Sequence, residues 1–114
     1  MVRKENLEVR HEMRGGKGDV YLYHIVPQEE LMGHGRLFAR IVLPAGSSIG
    51  RHTHEGDTEP FYILKGNGIF TDADGSRVPV GPGDVCVIAC GESHAIENAG
   101  TEDLEMIALV LYKA

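Results

Sequence analysis

The sequence predicts an all-β domain, a barrel or a two-sheet sandwich. Short apolar runs recur along it, bounded by turn residues at regular spacing. No stretch sustains a long helical period. The 15 glycines in 114 residues suit a fold built from many tight turns.

The elements follow in order. Residues 1–18 form a charged, glycine-rich arm in which Leu7 and Val9 alternate with polar neighbours, so an edge strand is expected there, followed by a flexible loop from Arg14 to Gly18. Residues 19–114 form one domain. Val20–Val26 is its first clear strand, with Val20, Leu22, His24 and Val26 on one face. Pro27–Leu31 suits a single helical turn, since Pro fits a first helical position. Arg36–Leu43 is a strong strand, and Ile49–His54 follows the Pro44-Ala45-Gly46 turn. Phe61–Leu64 and Gly68–Asp72 are expected to pair across a hairpin at 65–68. Asp74-Gly75 marks a second hairpin, to Arg77–Val80. Val85–Ala89, His94–Glu97 and Leu104–Tyr112 complete the set. The last is apolar almost throughout, which suits a strand buried on both faces or packed on another subunit.

Composition narrows the function. A length of 114 residues suits one domain. Formal net charge is −6 with no basic stripe, which argues against nucleic acid as a partner. No apolar run is long enough to span a bilayer, and the N-terminus lacks a signal-peptide apolar region. The expectation is a soluble, cytoplasmic protein. Cys86 and Cys90 share one strand face about 13 Å apart, too far for a disulfide, and read as reduced, buried thiols; a role for Cys90 beside the site is the sharper alternative.

The chemistry concentrates between Gly46 and Asn98. His52 and His54 are two apart, so an extended strand points both imidazoles to one side, roughly 7 Å apart at Cα. Glu59 follows a short connector, Glu55 to Thr58, expected to fold the next run back beside the first. Two imidazole nitrogens and a carboxylate are a common donor set for a divalent transition metal. His94, after the Cys90–Ser93 turn, is a further donor whose spacing alone does not bring it to the other three.

These stretches resemble the two cupin motifs. Gly46, His52, His54, Glu59 and Gly66 fall at the spacing of the first; Gly83, Asp84, Gly91, His94 and Asn98 fall at that of the second, with Ala89 where the family usually has Pro. The resemblance implies a jelly-roll barrel, the cupin double-stranded β-helix. It also implies one metal on His52, His54, Glu59 and His94, with manganese first and iron, nickel, cobalt or zinc also compatible. Such a set on an octahedral ion keeps two positions for a ligand. Among small cupins the chain looks most like those related to oxalate decarboxylase, which implies chelation of oxalate or a similar small acid. It departs from the two-domain decarboxylases in having one cupin unit, four residues between His54 and Glu59, and no recognisable lid glutamate. The expected function is a metal-dependent enzyme acting on a small carboxylate by decarboxylase-like or dioxygenase-type chemistry. A non-catalytic binding or sensor module, and a Lewis-acid isomerase or lyase, are the alternatives. A homodimer pairing through the terminal strands, Leu7–Val9 and Leu104–Tyr112, is expected.

Other polar residues are weaker candidates. Phe38 and Arg40 share a face; if it lines the barrel, Arg40 is placed to pair with an anionic substrate, and otherwise it is a surface residue. Phe61 and Ile63 alternate with Glu59 and are expected to wall the pocket. Glu55, Glu92 and Glu97 flank the ligands, and none stands out as general acid or base. His11 and His34 read as surface residues, and His24 as a minor candidate for the interior.

Overall fold

The computed structural model describes all residues from Met1 to Ala114. Eleven strands form: β1 (Asn6–His11), β2 (Asp19–His24), β3 (Gly35–Leu43), β4 (Ser48–Thr53), β5 (Asp57–Thr58), β6 (Phe61–Lys65), β7 (Gly68–Thr71), β8 (Arg77–Val80), β9 (Val85–Cys86), β10 (Ser93–Glu97) and β11 (Leu104–Tyr112). A seven-stranded sheet runs β1-β2-β3-β11-β6-β9, with β5 also on β11; a four-stranded sheet runs β4-β10-β7-β8. All pairings are antiparallel. The all-β reading therefore holds. Helix is limited to single 3-10 turns at Met13–Gly15 and Gln28–Leu31, the second where Pro27 predicted one.

Period-two alternation fixes which side chains meet between the sheets. Val20 and Leu22 of β2, Leu37, Ala39, Ile41 and Leu43 of β3, and Leu104, Met106, Ala108 and Val110 of β11 point inward and are buried. Ile49, Phe70 and Ile96 face them from the smaller sheet. Asn98 ties the sheets together: its amide nitrogen donates to Leu43 O at 2.8 Å and to Glu102 O at 2.7 Å.

Several local expectations need correction. The run after His54 does not fold back beside it. β4 pairs with β10 in the small sheet, whereas β6 pairs with β11 and β9 in the large one, so residues 54–60 cross between sheets. Nor is 65–68 a hairpin, because β7 pairs with β8 and β10 rather than with β6. Gly66 makes this second crossing, at φ +83°, where a Cβ would sit 2.3 Å from Asp103 O. Val85–Ala89 is a strand only over Val85–Cys86. Beyond that its backbone is held by side chains: Thr58 Oγ1 donates to Ile88 O at 2.5 Å, and Ala89 N–H donates to the Glu92 carboxylate at 2.6 Å. β11 has neighbours on both sides and offers no free edge for a partner subunit; β1 is the edge strand. The N-terminal arm pairs with β2 in continuous register from Asn6↔His24 to His11↔Asp19. Cys86 is buried but Cys90 is exposed, and both thiols are free.

A candidate metal centre at the barrel mouth

The two crossings and one strand pairing assemble the site. β4 delivers His52, and in the neighbouring β10 His94 is its direct cross-strand partner. His54 follows as the chain leaves β4, and Gly91 N–H donates to its carbonyl at 2.7 Å, holding the turn before His94. Glu59 comes from the opposite side, on the segment that has just crossed to the large sheet. One donor atom from each of His52, His54, Glu59 and His94 lies within 4.8 Å of the others. His54, Glu59 and His94 are buried; His52 is half-buried and borders the opening.

The proton inventory shows what these atoms are ready to do. The three Nε2 atoms form a triangle with edges of 3.1, 3.0 and 3.2 Å. His52 Nδ1 lies 2.7 Å from Gly50 O, and His54 Nδ1 lies 2.6 Å from Asp57 Oδ1. Each of these contacts needs the proton on Nδ1. In the neutral rings Nε2 then carries a lone pair, and neither Nε2 is able to donate to the other. Converging lone pairs beside a buried carboxylate are a site for a shared cation, and neutral imidazole with ionised carboxylate is the state metal binding requires. The donor set therefore fits a divalent transition metal.

Electrostatics without a cation support the same reading. Burial disfavours the Glu59 carboxylate, yet hydrogen bonds from His54 and His94 outweigh it and hold the group down to about 2. Glu59 Oε1 lies 3.1 Å from His54 Nε2 and 3.3 Å from His94 Nε2. The same contact raises His54 above its ordinary value, against burial and with help from Asp57. His52 is lowered, chiefly by burial.

Behind the donors the support is asymmetric. The Phe61 ring stacks on His94 at 5.1 Å between centroids and 13° between planes, and Phe70 meets His94 edge-on at 5.7 Å. Asp57 is buried and bridges two groups: Oδ1 accepts from His54, and Oδ2 accepts from Arg36 Nε at 3.0 Å. A carboxylate on the far nitrogen of a ligand imidazole fixes its tautomer and orientation. The sequence reading took Asp57 as part of a connector, although it shares parity with Glu59 and that signal was available.

Above the donors a cavity of about 290 Å³ opens, with His52, His54 and Glu59 at its base. Its wall differs from the expected one. Arg40 does not line it; Arg40 lies on the outer sheet face, paired with Glu5 at 2.5 Å and Glu105 at 2.7 Å and stacked over Tyr23. Phe38 has the same outward parity. Phe61 and Ile63 face inward and are buried, Phe61 stacked on His94 rather than lining the cavity. The wall is polar instead, with Glu8, Arg10, Arg14, His24, Gln28 and Arg36. His24 thus does reach the interior, bonded to Glu8 at 2.7 Å. Three of the residues missed, Glu8, Arg10 and Arg14, lie on the arm. There the charged side chains of β1 turn inward and Leu7 and Val9 turn out, the reverse of the usual assignment. Glu55 and Glu92 are exposed, and Glu97 pairs with Arg77 on the surface.

Comparisons with known proteins agree with this geometry. An oxalate-binding protein of Thermotoga maritima is 52% identical over 99 residues, spanning 87% of this chain and 81% of its own. A crystal structure from the same organism, described as a predicted oxalate decarboxylase, superposes with a TM-score of 0.93 at 47% identity over 99% of both chains. A further cupin-like protein of T. maritima shares the fold alone, with a TM-score of 0.78 at 18% identity over 97% of this chain and 80% of its own. Residues 39–111, which include all four donors, match the cupin domain family, and the chain belongs to it.

Proposed function

We propose that this chain is a metal-dependent binding protein for a small carboxylic acid, oxalate or a close analogue. The metal is held by His52, His54, Glu59 and His94. The observation that carries the reading is the triangle of Nε2 atoms closed by Glu59 at the base of an open cavity. The likeness to an oxalate-binding protein supports the ligand class. A divalent ion bound there supplies Lewis acidity toward a carboxylate. The protein's part is to hold the donors, with Asp57 fixing His54, Gly50 O fixing His52, and Phe61 and Phe70 bracing His94. The mixed nitrogen and oxygen set admits manganese, iron, cobalt, nickel and zinc, and manganese is the ion to test first.

Binding is preferred to turnover on a specific observation. Turnover on this site would be helped by a proton-transfer group in the cavity that is not already engaged. Glu8 is the carboxylate of the wall beyond Glu59, and it is engaged by both Arg10 and His24. The experiment is to load the protein with manganese, titrate oxalate by calorimetry with and without chelator, and analyse the mixture for carbon dioxide, formate and oxygen consumption. Metal-dependent binding with no product supports the reading. Product formation would move the assignment to an enzyme, and binding that survives metal removal would overturn it.

The outward face of the large sheet is the proposed homodimer contact. Leu7, Tyr23, Arg40, Ile107, Tyr62 and Val85 lie in one row across five strands and the edge of β9. Leu7 at one end of the row and Tyr62 and Val85 at the other are 49%, 48% and 61% exposed, and exposed apolar side chains on one sheet face support an interaction surface there.

A further inference from the structure

The cavity is larger than oxalate requires. Its 290 Å³ is about ten times the volume share of one liquid water, whereas oxalate has only six heavy atoms. The wall away from the metal donors is cationic. Arg10, Arg14 and Arg36 all line it. They are not equivalent. Arg10 is neutralised by Glu8 and Arg36 by Asp57, each at 3.0 Å, whereas Arg14 has no carboxylate partner.

Arg14 is exposed, and the backbone that presents it is strained. Its φ and ψ are 56° and 30°, in the left-handed region that side chains with a Cβ avoid. Glycine takes that conformation freely, and the next residue is one. The turn that carries Arg14 is fixed rather than loose. Met13 packs against the core. Gly16 lies so close to β4 that a Cβ would sit 2.2 Å from Ser48 O and 2.8 Å from Gly50 N. Ser48 N–H donates to Lys17 O at 2.9 Å.

Charge complementarity indicates the occupant. A divalent ion on Glu59 leaves one positive charge at the base. The Arg10–Glu8 and Arg36–Asp57 pairs cancel, and Arg14 adds a second positive charge at the mouth. The cavity thus matches a dianion, which oxalate and a longer diacid both supply, and its volume favours the longer one.

Building on the proposed metal–acid reading, we infer that Arg14 anchors a second anionic group. The ligand is then a short dicarboxylic acid longer than oxalate, with its chelating head at the metal donors and its distal carboxylate on the Arg14 guanidinium. Arg14 is the specificity-determining residue that separates diacids from monoacids with the same head.

The test uses matched pairs that differ only in a distal carboxylate replacing a methyl group: malate against 2-hydroxybutanoate, and 2-hydroxyglutarate against 2-hydroxypentanoate. Each is titrated into the manganese-loaded protein by calorimetry. The wild type is expected to prefer at least one diacid over its partner by about tenfold or more, the scale of one charge-assisted contact. Arg14→Gly, which relieves the backbone, is expected to erase that preference while leaving manganese content unchanged. Arg14→Lys is expected to keep part of it. No preference in the wild type, or one that persists in Arg14→Gly, overturns the inference. If oxalate still binds in a metal-dependent way in that case, the function proposed above stands and only the Arg14 anchor falls. If neither oxalate nor any of the four acids binds the loaded protein, both fall.

Discussion

Asp57→Asn isolates what the buried carboxylate does for the metal donors. The substitution keeps the shape and removes the charge. In the wild type both carboxylate oxygens accept, one from His54 Nδ1 at 2.6 Å and one from Arg36 Nε at 3.0 Å. An amide has one oxygen and one nitrogen donor. If its oxygen stays on His54, its NH₂ faces the Arg36 N–H, and two donors oppose each other. If it flips, it faces the His54 N–H instead, and the tautomer that presents the Nε2 lone pair loses its support. Loss of such a partner costs 10- to 100-fold in metal affinity, or about 1.4–2.7 kcal/mol. The cost to the fold is smaller than for a wholly buried ion pair, because the Arg36 side chain is 34% exposed and water screens it. About 1–2 kcal/mol is expected, against the 3–5 of a fully buried pair. Chelator competition monitored with a metal indicator measures the first quantity, and melting of the metal-free protein measures the second. A variant whose metal affinity stays within twofold of wild type would refute the argument, because the geometry would then not depend on the charge.

Metal affinity is expected to rise with pH through and beyond ~6.5, because the proton on His54 that the ion displaces is held more tightly than usual by Glu59 and Asp57. His54, being raised, stabilises the metal-free fold below ~6.5 and loses that contribution as pH rises through its folded value, whereas metal stabilises more as pH rises. The gap between melting temperatures with and without chelator should widen with pH, and a constant gap from pH 5 to 8 would refute it. Gly66→Ala and Gly46→Ala share nearly the same φ, +83° and +81°, but only the first brings a Cβ onto backbone, 2.3 Å from Asp103 O. Chemical denaturation should show about 1 kcal/mol lost for Gly46→Ala and clearly more for Gly66→Ala, and equal losses would mean that the crossing relaxes. Light scattering is expected to give a homodimer, and Tyr62→Lys with Val85→Lys a monomer. A wild-type monomer at micromolar concentration would remove the outer sheet face from consideration.

The donors were legible because their signal is local and redundant. His52 and His54 share parity within one strand, and the glycines that frame them mark turns whatever the strands pair with. The sheet assignment of the next strands was not legible. Phe61–Lys65 alternates in the same way whether it pairs beside β4 or crosses to β11, and period two reports only that one face is buried. What separates a hairpin from a crossing is the backbone geometry at the connector. At 65–68 that geometry rests on Gly66 packing against Asp103, a contact far away in sequence. The cavity wall failed for a different reason. The sequence reading expected an edge strand at Leu7 and Val9 and named no arm residue as a candidate for the site. β1, however, lies over the barrel mouth rather than the core. There the inner face meets a polar cavity, so the charged side chains of the strand turn in and Leu7 and Val9 turn out. The hydrophobic pattern of a strand thus reports the inside only where the strand covers the core. Glu8, Arg10 and Arg14 stand where it does not, so the arm supplies part of the cavity wall while the motifs supply the candidate metal donors.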